Sequence, residues 1–397
     1  MNAPRIWIIG CGVVGTEIAR AHLRAGIAVR LVDQSDAALA AAVGQLNDDV
    51  NASAITSIDW ARCHAVGLVP AESTGSESTG SGPTTSPDVT ADDIVIESIA
   101  ENLPAKRSCL QSAWRQLGDS VVLASNTSTL RITDLASGAP YAHRLAGMHF
   151  FMPVVERLAV EIPVHPGTQP DIVDAITWLA GRLGCRGIEV PDSPGFVVNR
   201  MLSPYLNECL LMLCEGVDAE TLRRAALDYG MPLSPLELID FIGCRTMFDA
   251  GRVFWQAFPK RIDPAPILGR MIKSGRLGRS VGKGFFDYRR DGARWRRSRS
   301  LADEVLRFID QYSRKPISAN VDRVRDRMMW SMRLEADCLK ADHNVTVETI
   351  DAAMAGGLGF HAASTWSARV NELEDSRIQW LLDHVAPFSA AMRLDKS

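Results

Sequence analysis

The stretch RIWIIGCGVVGTEIARAHLRAGIAVRLVD, residues 5–33, decides the fold of the first part of the chain. Its apolar start predicts a strand from Arg5 to Ile9. Apolar residues then recur at helical spacing from Thr16 to Ala25, and Gly26 ends the helix. A second strand follows from Val29 to Val32. Strand, turn, helix and strand in this order are typical of a parallel sheet covered by helices.

The turn after the first strand, Gly10-Cys11-Gly12-Val13-Val14-Gly15, has the glycine spacing of a dinucleotide site. Gly10 allows the tight turn, Gly12 lets backbone amides approach a pyrophosphate, and Gly15 lets the helix pack on the strand. The alternative is a glycine-rich turn in an unrelated fold, but the flanking strands and helix favour the dinucleotide. The predicted contacts of this turn with the cofactor are Gly10, Gly12, Val13, Val14 and Gly15.

The second strand ends at Asp33, which indicates the identity of the dinucleotide. A carboxylate at this position hydrogen-bonds the adenosine ribose hydroxyls and repels the extra phosphate of NADP. The next residue, Gln34, adds no positive charge that would reverse the preference. The sequence therefore predicts NAD as the cofactor, with Asp33 and Gln34 among its contacts.

Three further strands are predicted at Ile94 to Ile99, Val121 to Ala124 and Leu145 to His149. The predicted fold class is therefore an α/β Rossmann-type doubly wound sheet, whose ligands collect at the carboxyl ends of the strands. The residues near these ends that we predict to contact the cofactor are Glu101, Lys106 and Asn126. The alternative for charged residues such as Glu97 and Lys106 is a solvated helix surface.

A histidine and a glutamate in GMHFFMPVVERLAVEI, residues 147–162, form a candidate acid–base pair. Oxidation of a secondary alcohol releases a hydroxyl proton, which an imidazole can accept near neutral pH. His149 is therefore the candidate base. A carboxylate on the far ring nitrogen fixes the tautomer and stabilises the imidazolium, and we expect Glu161 to do this. The alternative is a core histidine whose hydrogen bonds are satisfied.

The composition of the chain bounds its size, partners and compartment. A length of 397 residues predicts two or three domains. The formal net charge of -4 gives no reason to expect nucleic acid or a membrane surface as partner, so a small-molecule substrate is predicted. The eight cysteines lack paired metal spacing, and no apolar run suits a signal peptide or a membrane span. We expect a soluble, cytoplasmic protein without a metal site.

From Pro194 onward the pattern becomes helical, which predicts an all-α region. The segment NECLLMLCEGVDAETLRRAALDYGMP, from Asn207, is echoed by LEADCLKADHNVTVETIDAAMAGGLGF, from Leu334. The echo aligns Glu208 with Glu335. We therefore predict two tandem copies of a helical domain, of which the later copy serves packing rather than chemistry.

The predicted domain boundaries follow from these patterns. Residues 1–190 form the NAD-binding domain, with a Ser/Thr/Gly/Pro-rich insertion at 71–90 that is predicted to be a flexible loop. Residues 191–290 form a helical substrate-binding domain, and residues 291–397 form the second, degenerate helical domain. The arginine-rich segment Arg289 to Ser300 is predicted to be a solvated linker between the two helical domains.

These motifs resemble the 3-hydroxyacyl-CoA dehydrogenase family, the NAD-dependent step of fatty acid β-oxidation. The resemblance rests on GCGVVG with Asp33, IESIAEN reaching Lys106, SNTS, HFF.P with its downstream glutamate, DSPGFVVNR and GRLGRSVGKGFFDY. It implies oxidation of a (3S)-3-hydroxyacyl-CoA to the 3-oxoacyl-CoA, with His149 as base and Glu161 as its partner. It also implies that Ser128 and Asn199 hold the substrate hydroxyl or carbonyl, which both groups can hydrogen-bond.

Two alternatives accompany the resemblance. Ser128 could instead cap a turn, and Asn199 could be a helix-start amide. In the multifunctional branch of the family, a duplicated helical domain stands where simpler members place the partner subunit of a dimer. The resemblance therefore implies a monomer with an internal pseudo-dimer, and a homodimer is the alternative.

The chain departs from the family pattern at two places. Met152 stands where HFFNP has asparagine, so we expect a drier or differently shaped pocket. The helix predicted from Ala37 to Val50 stands where the family has a basic clamp for CoA, yet Arg62 is the only Lys or Arg between Asp33 and Asp92. The CoA phosphates could be met elsewhere, by the arginine-rich segment or by residues 273–283. Otherwise the substrate is a non-CoA hydroxy acid or related alcohol, or the chain is a catalytically silent NAD-binding homologue.

Overall fold

The computed structural model describes residues 4–49, 93–292, 294–312, 320–361, 363–386 and 389. The chain divides into two compact units, Met1–Phe196 and Val197–Ser397, which we call the sheet unit and the helical unit. The predicted flexible insertion at 71–90 and Arg62 lie outside the described residues. Among the described residues, no helix has the length and apolar character needed to span a membrane.

The sheet unit alternates strands and helices along the chain. Its elements are β1 Ile6–Ile9, α1 Val13–Arg24, β2 Val29–Val32, α2 Asp36–Asp49, β3 Ile94–Glu97, α3 Leu103–Leu117, β4 Val122–Ser125, α4 Ile132–Ala136, β5 Leu145–Gly147, β6 Ala159–Val164, α5 Pro170–Arg182 and β7 Arg186–Pro191. The first five strands form one parallel sheet in the order β2-β1-β3-β4-β5. This confirms the predicted α/β Rossmann-type sheet, with strand ends shifted by one or two residues.

The apolar composition of the strands explains why the sheet is covered on both faces. All four residues of β1 are buried, and they alternate between two core clusters: Ile6 and Ile8 join one, and Trp7 and Ile9 join the other. The first cluster includes side chains of α1, α2 and α5, and the second includes side chains of α3 and α4. Because successive strand residues point to opposite faces, a continuous apolar run requires helices on both sides.

A second, two-stranded parallel sheet pairs β6 with β7, and the sequence patterns above did not predict it. An isolated antiparallel bridge joins His149, just beyond β5, to Glu161 in β6. The backbone amide of His149 donates to the Glu161 carbonyl at 2.8 Å, and the Glu161 amide donates back at 3.1 Å. The small sheet therefore holds Glu161 directly beside the segment that follows β5.

The helical unit begins with a long buried helix and consists mainly of helices. Its elements are α6 Val198–Cys214, α7 Ala219–Tyr229, α8 Pro235–Ile242, α9 Cys244–Ala257, α10 Ile267–Lys273, β8 Tyr288–Asp291, β9 Arg294–Arg297, α11 Asp303–Tyr312, α12 Val321–His343, α13 Val347–Ala352, a π-helical turn Ala353–Leu358, α14 Trp366–Val370 and α15 Asp375–His384. The predicted helical C-terminal region is confirmed. The predicted boundaries at 190 and 290, and the duplication, stay predictions.

One prediction for the helical unit is wrong in part. The segment Arg289 to Ser300 is not an irregular linker, because most of it belongs to the antiparallel hairpin of β8 and β9. Its charge is largely solvated as predicted, since five of its six arginines are exposed: Arg289, Arg290, Arg294, Arg296 and Arg299. Its arginines are partly anchored: the Arg297 guanidinium pairs with Glu237 and lies over the Phe286 ring, 4.6 Å from the centroid. The hairpin is also an exception to the all-α character predicted for this region. Charge density alone did not reveal that the segment forms a hairpin.

Candidate active site

The glycine turn between β1 and α1 is closely packed, and two of its glycines have no room for a side chain. Gly10 has a φ of 104°, and a Cβ atom there would lie 2.5 Å from the Ser98 carbonyl oxygen. A Cβ atom on Gly15 would lie 1.8 Å from the Gly10 carbonyl oxygen. Gly12 precedes the first residue of α1 and has open space around it. The turn therefore presents bare backbone at the start of a helix, which suits a pyrophosphate.

Asp33 lies at the end of β2 and is bonded to the same turn. Its carboxylate accepts hydrogen bonds from the Cys11 amide at 2.7 Å and from the Ser35 amide at 2.8 Å. Gln34 is exposed beside it, and Val13 in the turn is 77% exposed. The predicted cofactor contacts of this region therefore lie together.

A buried ion pair lies at the end of β3. Lys106 is 1% exposed, and its Nζ donates to Glu97 Oε1 at 2.7 Å and to the Ile99 carbonyl at 3.2 Å. The other oxygen of Glu97 accepts from the Ser125 hydroxyl at 2.6 Å, which ties β3 to β4. The alternative of a solvated surface is therefore wrong for Glu97 and Lys106. A buried charge of this kind is stable because it is paired and hydrogen-bonded.

Glu101 organises the turn that follows β4. Its Oε1 accepts from the Thr127 hydroxyl at 2.7 Å, from the Ser128 amide at 3.0 Å, and from the Thr129 amide and hydroxyl at 2.8 Å. Burial alone would raise the pKa of Glu101, but the charge of Lys106 and the hydrogen bonds from Thr127 and Thr129 outweigh it and lower the pKa. Glu101 is therefore ionised at neutral pH, and it fixes the backbone that carries Ser128.

Asn126 connects this turn to the segment that carries His149. Its amide nitrogen donates to the Ser98 hydroxyl at 3.1 Å, and its oxygen accepts from the Phe150 amide at 2.9 Å. The Met148 amide also donates to the Ser125 carbonyl at 2.9 Å. The loops after β3, β4 and β5 are thus joined by hydrogen bonds. They bring the predicted residues Glu101, Asn126 and His149 to one edge of the sheet.

His149 and Glu161 form a buried imidazole–carboxylate pair. Nδ1 of His149 lies 2.8 Å from Oε2 of Glu161, and the two residues are 5% and 0% exposed. If the carboxylate is ionised, Nδ1 carries the hydrogen and donates it, which leaves the lone pair of Nε2 available for a proton. The carboxylate also stabilises the imidazolium that forms when Nε2 takes that proton. The pair has the arrangement of a general base and the group that orients it.

Two aromatic rings pack against the imidazole of His149. Phe151 meets it edge-on with ring centroids 4.9 Å apart, and Phe196 lies at 5.5 Å. Phe196 is fully buried and has a φ of 51°, a left-handed conformation that a bulky residue adopts only when its surroundings enforce it. Met152 packs against the first core cluster, as its predicted space-filling role requires. These rings limit water around one side of the base.

Asn199 lies in the first turn of α6, in the helical unit, where the Ser203 hydroxyl donates to its backbone carbonyl at 2.8 Å.

The sequence patterns missed several residues of the site: Ser98, Thr127, Thr129 and Phe196. The hydroxyl-rich run SNTST was the available signal, because such residues bond backbone and carboxylates in turns. Among the described residues, no group of three or more histidine, cysteine or acidic side chains could hold a metal ion.

The fold and this site together define a class of protein. A glycine turn against an acidic strand end binds a dinucleotide, and a buried imidazole–carboxylate pair at the same sheet edge suits proton transfer from a hydroxyl group. This class is the nicotinamide-dependent oxidoreductases.

Comparison with known families identifies the particular group within that class. The family model for the 3-hydroxyacyl-CoA dehydrogenase NAD binding domain matches residues 5–193, and the model for the C-terminal domain of the same enzymes matches residues 195–288. The chain belongs to the 3-hydroxyacyl-CoA dehydrogenase family. It is an oxidoreductase with an NAD-binding domain.

Solved structures agree with this assignment. The chain is 32% identical to (S)-3-hydroxybutyryl-CoA dehydrogenase from Ralstonia eutropha over 73% of this chain and 100% of that one, with a TM-score of 0.60. It is 20% identical to 3-hydroxybutyryl-CoA dehydrogenase from Escherichia coli over 99% and 97%, with a TM-score of 0.75. It is 19% identical to the dehydrogenase part of multifunctional enzyme 1 from C. elegans over 100% and 89%, with a TM-score of 0.65. The last two show a shared fold.

Proposed function

We propose that the chain oxidises a (3S)-3-hydroxyacyl-CoA to the 3-oxoacyl-CoA. His149 removes the proton of the C3 hydroxyl at Nε2, and bound NAD would supply the acceptor for the hydride that leaves C3. The observation that carries the proposal is the 2.8 Å contact between Nδ1 of His149 and Oε2 of Glu161, which leaves one ring nitrogen to act as base. Glu161 is the positioning residue that holds the tautomer and stabilises the imidazolium.

The substrate oxygen needs hydrogen-bond donors while negative charge develops on it. We assign this role to the hydroxyl of Ser128 and the carboxamide of Asn199. Glu101 holds Ser128 in place, because its carboxylate accepts a hydrogen bond from the Ser128 amide at 3.0 Å and so fixes the turn.

The residues that would hold NAD fit the group. The glycine turn is bare backbone at the start of α1, and Asp33 lies beside it at the end of β2. We propose Gly10, Gly12, Val13, Val14, Gly15, Asp33, Gln34, Glu101, Lys106 and Asn126 as the cofactor contacts. Lys106 is bonded to Glu97 and near Glu101, so its contribution is the positive charge that it adds behind the turn rather than a free ammonium.

We also propose the three-part organisation of residues 1–190, 191–290 and 291–397. The supporting observation is that α6 and α12 carry matching ion pairs, from Arg200 to Glu335 and from Arg327 to Glu208. This organisation implies a monomer with an internal pseudo-dimer, and a homodimer is the alternative.

The experiment that tests the function measures NADH formation by absorbance. The protein is mixed with NAD and (S)-3-hydroxybutyryl-CoA, with longer 3-hydroxyacyl-CoA thioesters, and with free 3-hydroxybutyrate and carnitine as matched alcohols without CoA. We expect turnover of the thioesters and competitive inhibition by free CoA. Turnover of an alcohol without CoA, unaffected by free CoA, would instead support the non-CoA alternative. Tight NADH binding with no turnover of any substrate would support the catalytically silent alternative.

A further inference from the structure

Helices α6 and α12 of the helical unit are joined by two reciprocal ion pairs. Arg200 in α6 donates to Glu335 in α12, with Nε 2.6 Å from Oε1. Arg327 in α12 donates to Glu208 in α6, with Nε 2.5 Å from Oε2. All four side chains are buried. Arg327 and Glu335 have the same spacing in α12 that Arg200 and Glu208 have in α6, which is the pattern that a two-fold axis between equivalent helices would produce.

Each arginine has a second carboxylate partner, and these two partners are related in the same way as the first two. Arg327 also bonds Glu215 at 2.7 and 2.9 Å, and Arg200 also bonds Asp342 at 3.4 Å. Asp342 has the same position relative to Arg200 and Glu335 that Glu215 has relative to Arg327 and Glu208. The sequence VVNRML in α6 thus corresponds to VRDRMM in α12. The echo found in the sequence therefore extends further toward the N-terminus of each helix.

The equivalence fails at the residue before each arginine. Asn199 stands before Arg200, whereas Asp326 stands before Arg327. Asp326 is 1% exposed and accepts from Nε of Arg377 at 2.8 Å, so this position in α12 is occupied by an ion pair. Only the copy in α6 has a carboxamide that we assign to the substrate oxygen. The two ion pairs are chemically alike, but one of them lies next to the proposed site residue.

The ion pair beside Asn199 belongs to a rigid cluster. Phe258 has the Arg200 guanidinium 4.6 Å from its ring centroid and the Arg261 guanidinium 4.4 Å from it. Arg261 bonds Glu335 at 3.3 Å and Asp342 at 2.8 Å. The guanidinium of Arg200 is therefore fixed by two carboxylates and an aromatic ring. A planar guanidinium held by charge-assisted hydrogen bonds and a ring face has little freedom to move.

We propose that Glu335 is a positioning residue for substrate oxidation. By holding Arg200, it fixes the first turn of α6 and so aims the adjacent Asn199 at the substrate oxygen. The inference rests on the proposed function, because it requires Asn199 to contact that oxygen. A displacement of about 1 Å at such a group can lower the rate by up to about 10²-fold, so an ion pair one residue away is sufficient to matter.

The test compares the two reciprocal pairs in the full chain. Glu335→Gln removes the charge beside Asn199, and Glu208→Gln removes the equivalent charge in the other pair. Each leaves one buried arginine with fewer partners, so we expect a similar fall in Tm for both. We expect Glu335→Gln to lower kcat about tenfold, with a smaller change in KM, and Glu208→Gln to keep kcat within about twofold of the wild type. NADH binding is expected to be unchanged in both.

A double-mutant cycle separates positioning from general damage. Asn199→Ala is expected to lower kcat about 10²-fold, and Asn199→Ala combined with Glu335→Gln is expected to be no slower than Asn199→Ala alone. Asp342→Asn is a milder variant that remains useful if Glu335→Gln fails to fold, because Asp342 is exposed and contacts the same arginine. We expect it to lower kcat about threefold.

Three results would overturn the inference. The first is a wild-type kcat in both Glu335→Gln and Asp342→Asn together with a lowered kcat in Asn199→Ala. This result would remove the role of Glu335 but leave the proposed function intact. The second is an equal loss of kcat in Glu335→Gln and Glu208→Gln. The third is an unaffected Asn199→Ala, which would also remove the substrate role of Asn199. A wild-type chain that oxidises no hydroxyacyl thioester would instead refute the proposed function itself.

Discussion

Two histidines of the sheet unit, His22 and His149, are both buried but have different partners. His22 in α1 is 0% exposed, its Nδ1 lies 2.8 Å from the Ile18 carbonyl, and its Nε2 has no hydrogen-bond partner among the described residues. Burial lowers the pKa of His22 to about 4, and the hydrogen bond to Ile18 opposes this only in part. His149 instead faces the carboxylate of Glu161 at 2.8 Å.

The difference shows what makes a buried imidazole useful for proton transfer. Burial disfavours the charged ring, so an imidazole that faces only a backbone carbonyl stays neutral across the physiological range. A carboxylate on one nitrogen offsets that cost and lets the other nitrogen accept a proton during turnover. His22 therefore serves packing, and His149 is the histidine suited to act as base.

Replacement of His149 by Gln should have the largest effect on turnover. Loss of the general base is expected to lower kcat by about 10³-fold, while the affinity for NADH, measured by fluorescence titration, stays within about twofold of the wild type. The matched control is His22→Gln, which should keep kcat at pH 7.5. A similar loss of turnover in both variants would contradict the assignment of His149 as the base and of His22 as a packing residue.

Replacement of Glu161 by Gln should have the next largest effect. The amide can still hydrogen-bond Nδ1 but cannot balance the charge of the imidazolium, so kcat is expected to fall by about 10²-fold with little change in KM. Steady-state kinetics at pH 7.5 checks this, with a far-ultraviolet circular dichroism spectrum as the folding control. Unchanged kcat in a folded Glu161→Gln variant would remove Glu161 from the mechanism.

His22 should affect the pH dependence of the free energy of unfolding rather than turnover. Its folded-state pKa of about 4 lies below the unfolded value of about 6.5, so its stabilising contribution is present above about pH 6.5 and is lost as the pH falls through about 4. Urea unfolding at pH 7.5 and pH 4.5 should show that the wild type loses about 2 to 3 kcal/mol more than His22→Leu does. Equal losses in the two proteins would mean that His22 is not held neutral by burial.

Phe151 should give the smallest effect. Its ring meets the His149 imidazole edge-on, and such contacts stabilise by about 0.5–1.5 kcal/mol. Phe151→Leu keeps an apolar side chain but loosens the orientation of the imidazole, so kcat is expected to fall about threefold. Steady-state kinetics measures the change. A loss as large as that of Glu161→Gln would indicate that the rings, rather than the carboxylate, control the base.

The sequence predicted the parts of the fold that depend on local patterns. Apolar runs located the five strands of the main sheet, because a strand buried on both faces has little room for polar residues. The small sheet of β6 and β7 was not predicted, since Glu161 and Glu189 interrupt the apolar pattern of these strands. The hairpin at β8 and β9 was missed for a related reason: its strands consist mainly of exposed charged residues and carry no apolar run.

The candidate site likewise contains residues that the sequence could predict and residues that it could not. The glycine turn, Asp33, His149 and Glu161 could be singled out because each residue type is tied to a chemical task. The burial of Glu97 with Lys106 could not be predicted, because a lysine is buried only when a distant carboxylate reaches it. The left-handed backbone of Phe196, whose ring lies beside His149, could not be predicted either, because a bulky residue does not favour that conformation by itself.

A crystal structure of the chain with NAD and acetoacetyl-CoA tests the central claim most directly, because it measures the position of the base relative to the reacting oxygen. The account predicts that Nε2 of His149 lies within about 2.6–3.2 Å of the C3 carbonyl oxygen, with Nδ1 still bonded to Glu161. A C3 oxygen held by other groups, with His149 out of hydrogen-bond reach, would contradict it.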